Sequence, residues 1–444
     1  MKNSLLIYLS IALLLSSCQE VGDNKPLLSN SKKKQPIIIV NQNRHLNMAE
    51  YWIDKVDKPH KLLMTDKEIE AFNNNTAYNR QTFNYFKDMN KAYGTSWVKS
   101  SILHSFNGIK SKSNYFADGN RINASFYKDL KDDLNLDALV GSSVQVRYAL
   151  VTKYCNQKIV PTELSLLKKK NQIHFDRNQN SALDIATPIA VLHSTEDSLW
   201  HYAIGPTSSG WVRSQNIAFG DKKEILNYLN SKNFIVTTAT KTALKIAGRY
   251  HDYLRMGVKL PIILTLDDET MVMVPVSDKN GNLVLSNATV KSSNVHRGYL
   301  KYTAENILLQ AFKFLHLPYG WGGMYGEQDC SKFIQEIYAT VGLHLPRNST
   351  SQANVSDINI ELEGISKESK HTFLKTSALV GGSIIHLKGH IVLYLGEYQG
   401  EPYIIHTVWG SSSRHFALGR TAVTSLNFND YLSKIDKITN IVNK

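Results

Sequence analysis

Cysteine is scarce, with three in 444 residues at positions 18, 155 and 330, each in a separate context, which excludes a disulfide-framed fold. The apolar run from Leu5 to Leu15 is too short to span a bilayer, so it does not read as a membrane helix. Acidic residues are in deficit, 38 against 51 lysines and arginines, for a formal charge of +13. Anionic lipids, wall polymers and nucleic acids could all answer such a charge. No nucleic-acid recognition motif accompanies it, so no nucleic-acid partner is expected and the lysines read as a solvated surface. Apolar and aromatic content is ordinary, and the length allows several domains with their own cores.

At the N-terminus, Lys2 precedes the Leu5–Leu15 run, and small residues then lead to Cys18, the pattern of an export signal. The ending Leu15-Ser16-Ser17-Cys18 resembles a bacterial lipobox. That resemblance implies a signal peptide over 1–17, cleavage before Cys18, lipid on Cys18 and a membrane anchor. Gln19 in place of aspartate implies the outer membrane, facing the periplasm. Residues 18–45, rich in Asn, Ser and Lys, read as the lipidated cysteine and a tether.

Residues 46–135 carry aromatic and aliphatic side chains at helical spacing, as in Tyr51-Trp52-Ile53 and Phe83, Tyr85 and Phe86, and predict a helical domain. Thr65, ahead of Asp66 and Glu68, is an N-cap candidate. Near Val140 the pattern changes to short alternating runs, Val144–Val146, Pro188–Leu192 and Gly210–Val212, which predict a small barrel over 136–220. With its closing Gly210-Trp211-Val212 and the turn Glu196–Leu199 before an inward Trp200, this unit resembles a bacterial SH3-like domain. Cys155 within it reads as a small buried hydrophobe. Residues 228–298, with Pro261–Leu264, Met271–Pro275 and a turn at Asn280-Gly281, predict a second barrel of the same kind.

From 299 to 444 the chain reads as one α+β domain. Thr303 is an N-cap candidate for a helix with Ile307, Leu308, Ala311, Phe312 and Leu315 on one face. The stretch Tyr319–Phe333, YGWGGMYGEQDCSKF, then places a glycine-rich loop ahead of Cys330. Phe333, Ile334, Ile337, Tyr338 and Val341 continue at helical spacing and Gly342 stops the helix, so Cys330 falls at a helix N-terminus, where a lowered thiol pKa is expected. Downstream, Gly381–Gly410 contains three β-runs with a turn at Gln399-Gly400. Pairing Ile391–Leu395 with Tyr403–Thr407 sets His406 opposite about Val392, on the face of His390. One imidazole could deprotonate Cys330 while the other orients the first. His386 also lies in a β-run, without a motif. One cysteine and two histidines with neither a close pair nor a fourth ligand do not predict a metal site.

Five blocks, Tyr319–Gly323, Asp329-Cys330-Ser331, Leu345–Ser349 with Gln352, Gly389–Gly396, and His406, resemble in order and spacing the NlpC/P60 family of cell-wall cysteine peptidases. A helical region and two SH3-like barrels ahead of the peptidase are similar to its lipoprotein subgroup. The resemblance implies a multidomain α+β protein with a papain-like C-terminal domain, acting without a cofactor as a monomer on peptidoglycan stem peptides. The bond implied joins γ-D-glutamate to a diamino acid such as diaminopimelate. It implies Cys330 as nucleophile, His390 as general base, His406 as orienting residue and Tyr319 as oxyanion donor. Asp329 would bind the free amino end of the stem peptide, and Ser331 and Ser349 the glutamate carboxylate. Gly382-Ser383 and Asn348 stand where many members have aspartates. A catalytically silent wall-binding adaptor, or an amidase or acyltransferase on the same scaffold, remain the competing readings.

Overall fold

A computed structural model describes residues 43–75, 84–411 and 416–442. The signal peptide, Cys18, most of the tether, and Phe83 lie outside these residues. Helices come first, strand-rich sheets follow, and an α+β domain closes the chain, so the multidomain α+β architecture is the one expected.

The N-terminal helices are α1 (Ala49–Ile53), α2 (Asp66–Asn74), α3 (Asn84–Asp88), α4 (Thr95–Lys112) and α5 (Ala124–Asp133). Thr65 caps α2 in a capping box: its hydroxyl accepts from the Glu68 N–H while Glu68 accepts from the Thr65 N–H at 2.7 Å. These helices do not form one body of their own. Val98, Ile102, Phe106 and Ile109 of α4 join the core of the two sheets that follow, whereas Leu46 and Trp52 are fully buried with the C-terminal domain.

The first sheet holds seven antiparallel strands between Arg147 and Phe219, with Trp200 and Trp211 buried inside. Two details differ from the sequence reading. Ser143–Gln145 pairs with Ala92–Gly94 instead of joining this sheet. Nor does Trp211-Val212 close the unit, because Ile217–Phe219 follows and pairs with Val151–Ala149. Alternating apolar residues specify a strand but not its partner. Cys155 is buried, and desolvation pushes its thiol well above the usual range. After α6 (Lys222–Leu229), capped by Asp221, a second seven-stranded antiparallel sheet runs from Phe234 to Arg297.

The C-terminal domain begins with α7 (Ala304–Phe312), N-capped by Thr303. Next come α8 (Cys330–Ala339), α9 (Ser349–Gln352) and α10 (Lys367–Ser377). Its six-stranded sheet comprises β1 (Asn359–Glu361), β2 (Ser383–Leu387), β3 (His390–Tyr398), β4 (Glu401–Ser411), β5 (Phe416–Ser425) and β6 (Ile435–Asn440), in the order β1-β6-β2-β3-β4-β5. A short helix, α11 (Tyr431–Lys434), sits between β5 and β6. The apolar face of α8, from Phe333 to Tyr338, is fully buried with Ile391, Leu393 and Ile405, which seats the helix across β3 and β4.

Four charged side chains, Arg255, Asp184, Glu336 and Lys332, join the sheets to the back of α8. Arg255 of the second sheet makes a bidentate pair with Asp184 beside the first, at 2.7 and 3.0 Å, and lies 3.5 Å from Glu336. Lys332 also reaches Asp184 at 3.3 Å. Arg255 is fully buried, so each member is held by the others.

Candidate active site

Cys330 opens α8, with Asp329 as N-cap: Asp329 Oδ1 accepts from the Lys332 N–H at 2.9 Å. The preceding loop is unusual backbone. Gly322, Gly323, Tyr325 and Gly326 all have φ between 59° and 87°, which for Tyr325 is a strained state. The loop is clamped from both sides. Gln179 donates to Gly322 O at 3.1 Å, the Tyr154 hydroxyl donates to Gly323 O, and Lys241 pairs with Glu327 at 2.5 Å. At Gly323 a Cβ would stand 2.7 Å from that of Ala182, so glycine is required there by both φ and space.

The β3–β4 hairpin has the expected register. Leu393 pairs with Ile405, a bulge falls between Tyr394 and Gly396, the turn is at Gln399-Gly400, and continuing the register by one residue sets His406 opposite Val392. His390 Nε2 and His406 Nδ1 are 2.8 Å apart, and His406 Nε2 lies 3.1 Å from Thr424 Oγ1 on β5. This chain selects a tautomer. For His390 Nδ1 to accept a proton, Nε2–H must donate to His406 Nδ1, and His406 Nε2–H then donates to Thr424. The backbone N–H groups of Ile391 and Ser331 favour the Cys330 thiolate, which puts the sulfur near the start of β3, the strand that His390 opens.

Electrostatics here differ from the expectation of a lowered thiol pKa. Burial pushes the Cys330 thiol up to about 12, with Asp329 adding to the rise, and the two backbone N–H groups only partly offset it. Burial also pushes His390 down to about 4, and His406 well below its usual value. Both effects disfavour charge, so the resting pair is a neutral thiol beside a neutral imidazole. Desolvation raises Tyr319 well above the usual tyrosine range, which keeps its hydroxyl a donor. Tyr319 is half-buried in an aromatic group with Phe175 of the first sheet region and Trp409 of β4.

Asp329 is heavily engaged. Oδ1 accepts from Lys332 N, Ser331 Oγ and Arg347 Nη1, while Oδ2 accepts from Gly322 N at 3.1 Å and Arg347 Nη2 at 2.6 Å. Burial alone would raise its pKa, but Arg347 and these bonds hold it below the usual carboxylate range. Arg347 also donates to Ser331 Oγ at 2.9 Å and to Ser181 of the first sheet at 3.1 Å. Ser349 is the first residue of α9, half-exposed, and Asn348 caps that helix through Oδ1, which accepts from the Ser351 N–H. Gln352 is fully buried and donates to Ser331 O and Pro346 O, both at 2.8 Å, tying α9 to the start of α8.

The structure thus brings Cys330, His390 and His406 together, with Tyr319, Asp329 and Ser331 around them. His386 pairs with Asp436 at 2.6 Å instead. Thr424 and the full role of Arg347 were not read from the sequence. An isolated threonine carries no signal, whereas the arginine after Leu345-Pro346 was visible in its motif without its partner.

Residues 316–415 match the NlpC/P60 family and residues 165–213 the SH3 domain of the SH3b1 type. The chain therefore carries an NlpC/P60 domain behind an SH3b domain. Among solved structures it is similar to an NlpC/P60 endopeptidase from Photobacterium damselae subsp. piscicida, at 21% identity over 88% of this chain and 96% of that one, with a TM-score of 0.71. An NlpC/P60 family protein from Bacillus cereus ATCC 10987 is similar at 16% identity over 67% and 100% of the two chains, with a TM-score of 0.50. Comparison with curated protein sequences gives no match.

Proposed function

We propose that this chain is a peptidoglycan endopeptidase that cleaves stem peptides at the γ-D-glutamyl–diamino acid bond by thiol catalysis. The observation that carries the reading is the 2.8 Å contact of His390 with His406 beside a cysteine at a helix N-terminus. As the Cys330 sulfur attacks the scissile carbonyl carbon, its proton passes to His390 Nδ1, and His406 steadies the imidazolium by accepting the His390 Nε2–H at its Nδ1. The Tyr319 O–H donates to the oxyanion that forms. Collapse breaks the C–N bond, the leaving amine takes the proton from His390, and water then hydrolyses the thioester with His390 again as base. Asp329 is ionised, so the ammonium of a free stem peptide would be an added partner to its five donors. We assign Ser331 and Ser349 to the glutamate carboxylate. Close contact of the first sheet with the nucleophile loop favours peptides with a free amino end.

The wider reading is a lipoprotein anchored through Cys18 on the outer membrane, periplasm-facing and monomeric, with two SH3-like barrels over 136–220 and 228–298 before the peptidase domain at 299–444. The solved Photobacterium relative is described as an endopeptidase, which agrees with the bond class.

Digestion of defined muropeptides by the chain lacking its signal and Cys18 tests the activity. The expected products carry a new glutamate carboxylate and a free diamino acid amine, and Cys330→Ala yields none while retaining the wild-type near-UV spectrum. Release of the sugar lactyl group from alanine would instead mark an amidase. Binding to sacculi without any product would mark an adaptor. Loss of labelled palmitate in Cys18→Ala checks the anchor.

A further inference from the structure

One aromatic residue outside the five matching blocks faces the histidine pair directly. The ring of Tyr431, at the start of α11, lies 5.6 Å from the His390 ring at a 41° tilt and 5.6 Å from the His406 ring at 86°. It is 6% exposed and packs against both rings. Its placement is built with care: Asn429 and Asp430, directly before it, both take left-handed backbone at φ 55° and 51°. Two consecutive non-glycine residues in that state are costly unless the surroundings demand them. Phe428 packs edge-on against the ring at 5.7 Å and also meets His406 at 6.3 Å.

We infer that Tyr431 is a positioning residue for the catalytic base, an aromatic cover that holds His390 against His406 and stabilises the imidazolium formed when Cys330 gives up its proton. The inference rests on the proposed thiol mechanism. A cation within about 6 Å of an aromatic centroid is attracted by the ring, and more so when water is excluded. Other groups around His390 are accounted for: His406 on β4 is its hydrogen-bond partner, His386 on β2 is held by Asp436, and Cys330 is the proton donor. Apart from the thiolate that Cys330 itself becomes, none of these supplies an anion to the imidazolium, which leaves the Tyr431 ring as the further stabiliser on the α11 side.

The test reads Cys330 directly, without a peptide substrate, by its rate of alkylation with iodoacetamide against a Cys330→Ala blank. Tyr431→Leu is expected to slow alkylation roughly threefold to tenfold, and Tyr431→Phe, which keeps the ring, to restore it to within about twofold of wild type. With a muropeptide the Leu variant should lose kcat and keep KM. A Leu variant alkylated at the wild-type rate or faster overturns the inference. His390→Ala alkylated as fast as wild type would overturn the base assignment itself, and this inference with it, so the two failures are distinguishable. If the Leu variant does not fold, Tyr431→Met takes its place. In the unmutated chain, absence of an upfield ring-current displacement on the His390 and His406 ring protons would equally overturn it.

Discussion

At the residue scale, the site depends on a proton chain ending at Thr424, a residue with no sequence signal. Thr424→Val should leave His406 Nε2–H buried without a partner, at a cost of about 1–3 kcal/mol. We expect a lower kcat with KM little changed, measured on a stem peptide, because the wrong His406 tautomer then competes. The pH profile is equally specific. His390, pushed down to about 4, stays an acceptor until the pH approaches that value. The acid limb of kcat/KM should therefore lie near pH 4, well below the ordinary imidazole range. Cys330, His390 and His406 were all legible in the sequence, because glycine-loop, helix and hairpin patterns give position. The direction of the thiol shift was not, since desolvation depends on what packs over the helix end, and here it outweighs the N-terminal N–H groups.

At the scale of elements, the loop between Gly320 and Cys330 is where the fold is least self-sufficient. Three of its four positive-φ residues are glycines, which take that state readily, but Tyr325 does not, and the loop has no regular backbone ladder of its own. It is held by Gln179 and Tyr154 on one side and Lys241 on the other. Gly323→Ala, with a Cβ 2.7 Å from Ala182, should displace the loop. The expected result is a large loss of activity with a smaller drop in melting temperature, read by muropeptide digestion beside a thermal melt. Arg347 plays a comparable part through its bidentate hold on Asp329. Arg347→Met should cost about 3–5 kcal/mol in denaturant unfolding, because it leaves a buried carboxylate uncompensated. Helix starts such as Thr65 and Thr303 were readable, since capping is local chemistry. Strand partners were not: Ser143–Gln145 pairs with a strand from the helical region, a choice made by long-range packing.

For the whole molecule, buried histidines tie stability to pH. Desolvation pushes His201, His344 and His390 down to about 4 and lowers His193 and His406 as well. An unfolded chain binds these protons at about 6.5, so it holds more protons than the folded one between there and 4, and stability falls as pH drops through that window. Glu336, Asp252 and Asp133, carboxyls raised chiefly by desolvation, act in the opposite sense, three groups against five. Denaturant midpoints measured from pH 7 to 4 should decline steadily, and an unchanged midpoint would falsify the assignment of neutral buried imidazoles. By itself the sequence determined the order of the parts, the helix that carries Cys330 and the hairpin register that pairs the histidines, because periodicity, capping and turn chemistry act over a few residues. Only the tertiary structure decided the desolvation of the half-buried thiol, the Asp329–Arg347 lock, the clamping of the glycine loop by both sheets and the Tyr431 packing. Each of these joins residues far apart in the chain, where close packing and desolvation set the outcome.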